Sequence, residues 1–378
     1  MMKITIICFG FNEKVTRSQP WHMADGLAST LSNNGHDVVL ITDGVTPPVR
    51  DYLISKINNL YERNKPSVEL NKQLNRTKPD VTFVFIGSHE LLKPNRFKLA
   101  GNVELVICNA RFKWKELKRI SISHFINESH LLGKAMIGSL IPGWLLKLGY
   151  RMTNAKNILY VSKEAQTRYS AIGLPVGKLL LPSIDDCYQP VIKDHVVSKN
   201  ITVCYFGPPL MLRGGLLAVK AFDQLAKDDS TVRLKLLIRI KDEPYMQKKV
   251  KEIEQSISQS DYKNRIDLIK KYLSPLELKN ELDSSSIFLL PFLLTVSDSP
   301  LVVIEAGLTG KPVVCLKTPG VTEYVQELNG ICVEQPEDLG LGLKQAVDLL
   351  NNPSRKNVKR WPSWDERVEG IVKGEREL

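Results

Sequence analysis

A carboxylate on an apolar helical stripe, a cation just before a helix start and a proline-marked turn are the features of this chain most suited to chemistry. Glu305 lies in LVVIEAGLT, where Leu301, Val302 and Leu308 share its helical face. A carboxylate there is costly without a partner. It either accepts hydrogen bonds from paired hydroxyls of the ribose kind, as in dinucleotide folds, or turns to solvent or to Lys311. Upstream, Ser299 reads as a side-chain cap and Pro300 as the first helical residue. The N–H groups of Leu301, Val302 and Val303 would then face an anion. Arg213, in LMLRGG ahead of the helix LLAVKAFDQLA, stands where the helix dipole opposes a cation. A bound anion, gripped bidentately, would account for it.

The elements that must position these residues are strands and helices in alternation. SIFLLPF before the turn and VVCL after it have the length and composition of fully buried strands. In the first half KITIICF (3–9), DVVLIT, VTFVFIG, ELVIC, RISISH and NILYVS read as strands. Helices are expected over WHMADGLASTLSNNG, which stops at Gly35, over roughly 50–77, and from near Lys163. His124 ends RISISH, on the edge where an open α/β sheet places its ligands. A polar linker, 191–200, leads to ITVCYFGPP, which turns sharply after Gly207. VRLKLLIR, the lysine-rich helix 244–257 and RIDLI follow. The fold class expected is α/β, two doubly wound Rossmann-like sheets facing a central cleft. The expected units are 1–192, 193–358 and a terminal helix within 359–378.

The same residues carry a resemblance. Glu305-Ala306, followed by Gly310-Lys311-Pro312-Val313-Val314, resembles the nucleotide-sugar site of the retaining family-four glycosyltransferases of GT-B fold. The opening strand, loop, helix and His36-Asp37 are similar to that family too, without its paired glycines; Arg17 or His22 would take over part of their task. The resemblance implies that Glu305 holds the ribose of a nucleotide-diphosphate sugar. Leu301 and Val302 would contact the diphosphate, with Ser299, Pro300, Gly207 and Thr318 around it. Arg213 matches the family's diphosphate-neutralising lysine, whereas its arginine position holds Pro208, so Arg239 or Lys317 would have to reach in. The family's first glutamate falls at Ser297, or at Asp298 if the loop is one residue shorter. His124 resembles the histidine beneath the donor sugar, and Pro182-Ser183-Ile184-Asp185 a family segment whose aspartate is kept while its asparagine and glycine are not. Residues 270–273 would approach the base, and the tail WPSWDERVEGIVK would cross back onto the first domain.

The 378 residues suffice for two cores, and 43% hydrophobic with 25% charged residues is ordinary for a globular protein. Six scattered cysteines suggest buried thiols in a reducing compartment, and no leader is read before Lys3. The expected location is cytoplasmic, peripheral on the inner face of the cell membrane if a lipid contact exists. The net charge of +11 fits anionic partners, or a solvated basic face with none. No zinc-finger, RNA-recognition or helix-turn-helix signature favours nucleic acid. Basic residues gather in RFKWKELKR (111–119), next to the apolar run 131–150. That run is too interrupted to span a bilayer. It either lies in a lipid interface, covers an acceptor cleft, or packs as an ordinary helix pair. The expected reaction is retaining transfer of a sugar to a glycan or lipid-linked acceptor, without metal or cofactor beyond the nucleotide-sugar co-substrate. The rival is an inactive nucleotide-sugar-binding subunit.

Overall fold

A computed structural model describes residues 1–13, 16, 18–45, 48–184, 186–188, 200–240, 244–295, 298–328, 330–351 and 360–373. Arg17, Asp185, Ser297, residues 191–199 of the expected linker and the boundary near 358 lie outside them.

The first half runs β1 (Lys3–Ile7), α1 (Trp21–Asn33), β2 (Asp37–Thr42), β3 (Leu53–Lys56), β4 (Tyr61–Glu62), β5 (Lys65–Pro66), α2 (Val68–Thr77) and β6 (Val81–Ile86). It continues with β7 (Asn102–Ile107), α3 (Trp114–Leu117), α4 (Ile122–Leu140), α5 (Gly143–Arg151), β8 (Ala155–Tyr160), α6 (Lys163–Ser170) and β9 (Lys178–Leu179). Seven parallel strands form one sheet in the order β3-β2-β1-β6-β7-β8-β9. Period-two alternation serves both faces: Ile4 and Ile6 pack with Met23 and Leu27 of α1, and Ile7 packs on the opposite side with Leu70 and Leu74 of α2.

The second half runs β10 (Ile201–Gly207), α7 (Gly215–Ala226), β11 (Val232–Ile238), α8 (Pro244–Gln259), β12 (Ile266–Lys270), α9 (Pro275–Asp283) and β13 (Ile287–Leu290). Then come α10 (Leu301–Gly307), β14 (Val313–Leu316), α11 (Thr322–Glu327), β15 (Ile331–Val333), α12 (Leu339–Asn351) and α13 (Trp364–Lys373). Its six parallel strands are ordered β12-β11-β10-β13-β14-β15, so the winding reverses between β10 and β13. Ligands of such sheets sit at the carboxyl ends of the strands beside that reversal. α13 leaves this sheet and packs on α1. A Cβ at Gly26 would lie 2.2 Å from Trp364, and Trp361 Nε1 donates to the Pro182 carbonyl (2.8 Å).

Two expectations fail here for local reasons. The helix expected over 50–77 is only α2; Arg63 and Asn64 take positive φ (46° and 63°) and turn β4 into β5. The strand expected over RISISH is instead the start of α4. Ser121 caps it, its hydroxyl accepting from the His124 amide (3.4 Å). The Ile-Ser alternation imitated a strand, but Ile122 and Ile126 stand one helical turn apart.

Candidate functional site

Beyond Gly207, at the end of β10, the chain makes a tight turn into α7. Gly207 is buried and its carbonyl accepts from Arg239 N (2.9 Å). Gly214 has φ +75°, and a Cβ there would sit 2.1 Å from the Pro291 carbonyl oxygen. The turn therefore packs directly on the loop that follows β13. Between these glycines Arg213 lays its guanidinium over Phe292, 4.8 Å from the ring centroid. Its Nη1 is buried and has no hydrogen-bond partner among the described residues. Burial is the main reason its pKa falls to about 10, and the Arg239 charge lowers it further. A guanidinium stripped of water with Nη1 unpartnered is costly. The nearby Glu128 carboxylate, itself spent on Met211 N, Leu212 N and Tyr245, offsets only part of that cost. An incoming anion would relieve that cost. Arg239 is thus the second cation near this point; Lys317 instead pairs with Glu334 (2.7 Å). Pro208 contributes its carbonyl to the Tyr205 hydroxyl (3.2 Å).

Across the reversal, α10 brings Glu305 into the core of the second domain with 6% of its surface exposed, which sets aside the solvent alternative. Lys311 spends its ammonium on the carbonyls of Leu282 and Asp283. The start of α10 differs from expectation. Pro300, not Ser299, occupies the cap position, with φ −67° and no side-chain cap. Val303 N bonds the Pro300 carbonyl (3.0 Å), so Leu301 and Val302 carry the first-turn amides without a described acceptor.

Ser299 is held at φ +58° and its hydroxyl contacts Val161 O and Tyr324 Oη, both at 2.6 Å. It serves the seam between the domains rather than capping the helix. Asp298 is drawn into the same seam. Its amide donates to Cys108 O (3.0 Å) and its carboxylate accepts from the Ser162 hydroxyl. Burial first, then Glu164 and Glu323, push its pKa up to about 7. A Cβ on Gly320 would come within 2.3 Å of its Oδ1. Asp298 is therefore enclosed rather than presented to a cleft. The Thr318 hydroxyl is likewise committed, donating to the Phe292 carbonyl (2.6 Å) beneath the Arg213 platform.

His124 is not at a strand end. Its ring nitrogen closes the cap of α4 with Ser121, and burial lowers its pKa. The helix it starts still reaches the site, because Glu128, at a kink in α4, is fully buried against the second domain. Its carboxylate accepts from Met211 N (2.6 Å), Leu212 N (3.1 Å) and Tyr245 Oη (2.8 Å). His22 is held on the Ser183 carbonyl (3.1 Å), away from the donor-side task considered for it.

Sequence reasoning missed Glu128, the Phe292 platform and a polar cluster at the carboxyl ends of β6 and β7. There Asn109 Oδ1 accepts from Ser88 N (2.6 Å) and its Nδ2 donates to Ser88 Oγ (3.1 Å), with His89 alongside. Asn109 follows ELVIC by one residue, so the strand-end rule applied to His124 would have found it. Between the domains a cavity of about 420 Å³ is lined by Lys113, Arg119, Arg168, Lys317, Glu323 and Glu334, among others.

Residues 202–352 match the family model for Glycosyl transferases group 1. No curated protein matches the sequence. Among solved structures the chain is similar to HepE of Anabaena in complex with UDP (16% identity, TM-score 0.65, covering 100% of this chain and 96% of that one). It is similar to WaaG, a glycosyltransferase involved in lipopolysaccharide biosynthesis (13% identity, TM-score 0.61, 98% and 95%). Sucrose-phosphate synthase from Thermosynechococcus elongatus is another neighbour (14% identity, TM-score 0.70, 98% and 95%). The chain has the GT-B fold, and the stretch that matches the family model, residues 202–352, falls within its second domain.

Proposed function

We propose that this protein is a retaining, metal-independent glycosyltransferase that uses a nucleotide-diphosphate sugar, a UDP-sugar first among the candidates. One observation carries the proposal: Arg213 lies beside the reversal of the second sheet, on an aromatic platform, with a buried donor atom that has no partner. A diphosphate supplies the missing counter-charge. The amides of Leu301 and Val302 would share it, and Glu305 would accept from the ribose hydroxyls. As the bond from the anomeric carbon to the diphosphate breaks, negative charge grows on the leaving oxygen, where Arg213 stabilises it. The acceptor hydroxyl then attacks from the face the diphosphate leaves and passes its proton to the departing phosphate oxygen, which retains configuration. His124, Asp298, Ser299 and Thr318 receive no step, since each side chain is engaged elsewhere, His124 in the α4 cap, Asp298 and Ser299 in the seam, and Thr318 on the Phe292 carbonyl. The preference for UDP draws on HepE, described in complex with UDP and with UDP-glucose.

A thermal-shift screen of UDP-, GDP- and ADP-sugars tests the donor. Binding to the native state must raise the melting temperature, by an amount equivalent to about 2.7 kcal/mol at a hundredfold excess over Kd. The proposal expects a UDP-sugar to give the largest shift and to turn over with a glycan or lipid-linked acceptor. No shift with any of the three would overturn it.

A further inference from the structure

The first domain carries a run of exposed apolar side chains that the donor site does not use. Eight of the eighteen large apolar side chains exposed among the described residues fall between Trp114 and Met152, about a tenth of the chain. They include both exposed tryptophans, Trp114 at 67% and Trp144 at 65%. The spacing has a structural cause. In α5, Leu146 and Gly149 face inward, and a Cβ at Gly149 would lie 2.0 Å from Leu91 O. Trp144, Leu148 and Met152, one turn apart, are left outside. α4 is held from within as well. A Cβ at Gly138 would meet Ser88 Oγ at 2.8 Å, and Arg111 donates to the carbonyls of Gly138 and Ile141 (both 3.0 Å). Ile122, Ile126 and Leu140 remain exposed.

The charge of this segment is one-sided in sequence, although Lys113, Lys115 and Arg119 line the cavity between the domains and Arg119 pairs with Glu334 (3.5 Å). Between Arg111 and Lys156 the sequence has nine Lys or Arg and two carboxylates, Glu116 and Glu128. Both carboxylates are buried, Glu116 on Arg168 (2.7 Å) and Glu128 on the amides of Met211 and Leu212. Away from that cavity the segment shows solvent apolar side chains together with Lys118, Arg151 and Lys156, and no acidic ones. A protein partner with an apolar patch would not require that bias. An anionic bilayer does, with tryptophans at headgroup depth and lysines against the phosphates. Among the described residues no helix is long and apolar enough to cross a membrane, so the contact is with its surface.

We infer that the exposed apolar and basic side chains of α3, α4 and α5 dock the protein on a membrane rich in anionic lipid. Trp114 and Trp144 enter the interface, and Lys118 and Arg151 contact the headgroups. Docking does not depend on sugar transfer, and its test needs no donor.

The full chain is sedimented with vesicles of phosphatidylcholine alone or mixed with phosphatidylglycerol, at low and high salt. The expected result is binding to the phosphatidylglycerol vesicles only, weakened by salt. Trp114→Ala with Trp144→Ala should weaken it at least about tenfold. Lys118→Glu and Arg151→Glu should each weaken it at least about fivefold. All four side chains are exposed, so the melting temperature should not change. Absence of binding, equal binding to both vesicle types, binding unaffected by these variants, or a dimer that buries the tryptophans would each overturn the inference.

Discussion

At the scale of single residues, burial decides what each charge in this protein can do. Arg213 and Asp298 are both removed from water, but Arg213 lacks a partner for Nη1 while Asp298 accepts from Ser162. Asp298 also faces Glu164, Glu323 and Arg168. Its pKa of about 7 lies above the ordinary carboxylate value. The folded state therefore keeps a proton that the unfolded chain releases from about pH 4. The fold loses stability as pH rises from about 4 to about 7, by an amount on the order of 2–4 kcal/mol from this group. Asp298→Asn should remove that loss. Urea denaturation should show the variant gaining on the wild type between about pH 4 and about pH 7; a constant difference would contradict the assigned burial. The sequence marked Arg213 and Glu305 because cations before helices and carboxylates on apolar stripes are locally improbable. It did not show that the Ser299 and Thr318 hydroxyls are engaged, because their partners, the Val161 and Phe292 carbonyls, are remote in sequence.

At the scale of elements, α4 joins the two halves. Its start was misread because Ile120 to Ser123 alternate as a strand does, although the serine cap was there to be seen. Its kink at Glu128 has no sequence signal, since the carboxylate is stabilised by amides 83 and 84 residues away. Glu128→Ala leaves the amides of Met211 and Leu212 and the Tyr245 hydroxyl without their acceptor, and should cost about 2–3 kcal/mol. Ser121→Ala removes only a cap and should cost about 1 kcal/mol. Denaturant titrations that reversed this order would show that α4 is not held by the second domain. In the turn before α7, Gly214→Ala meets both the positive φ and the Pro291 carbonyl. It should destabilise by more than about 1 kcal/mol and displace Arg213.

At the scale of the whole molecule, the alternation of strands and helices made both sheets legible, since parallel strands buried on two faces leave long apolar runs. How the sheets meet was not legible. The seam depends on pairs such as Asp298 with Cys108 and Glu323 with the amides of Lys163 and Glu164, all beyond the reach of local pattern. The tail adds a second connection, with Trp361 buried and donating to Pro182. Trp361→Ala should cost about 3–5 kcal/mol and should split thermal unfolding into two transitions, which calorimetry would detect. One cooperative transition at unchanged temperature would show that the tail does not couple the halves.

The central claim is that Arg213 is a desolvated cation kept for the phosphates of an activated sugar. Titration calorimetry of UDP with the wild type and with Arg213→Met tests it most directly. Loss of a charge-assisted contact should raise Kd by about ten- to a hundredfold, with the fold intact, because methionine keeps the apolar contact with Phe292. Equal affinity in the two proteins would contradict the account.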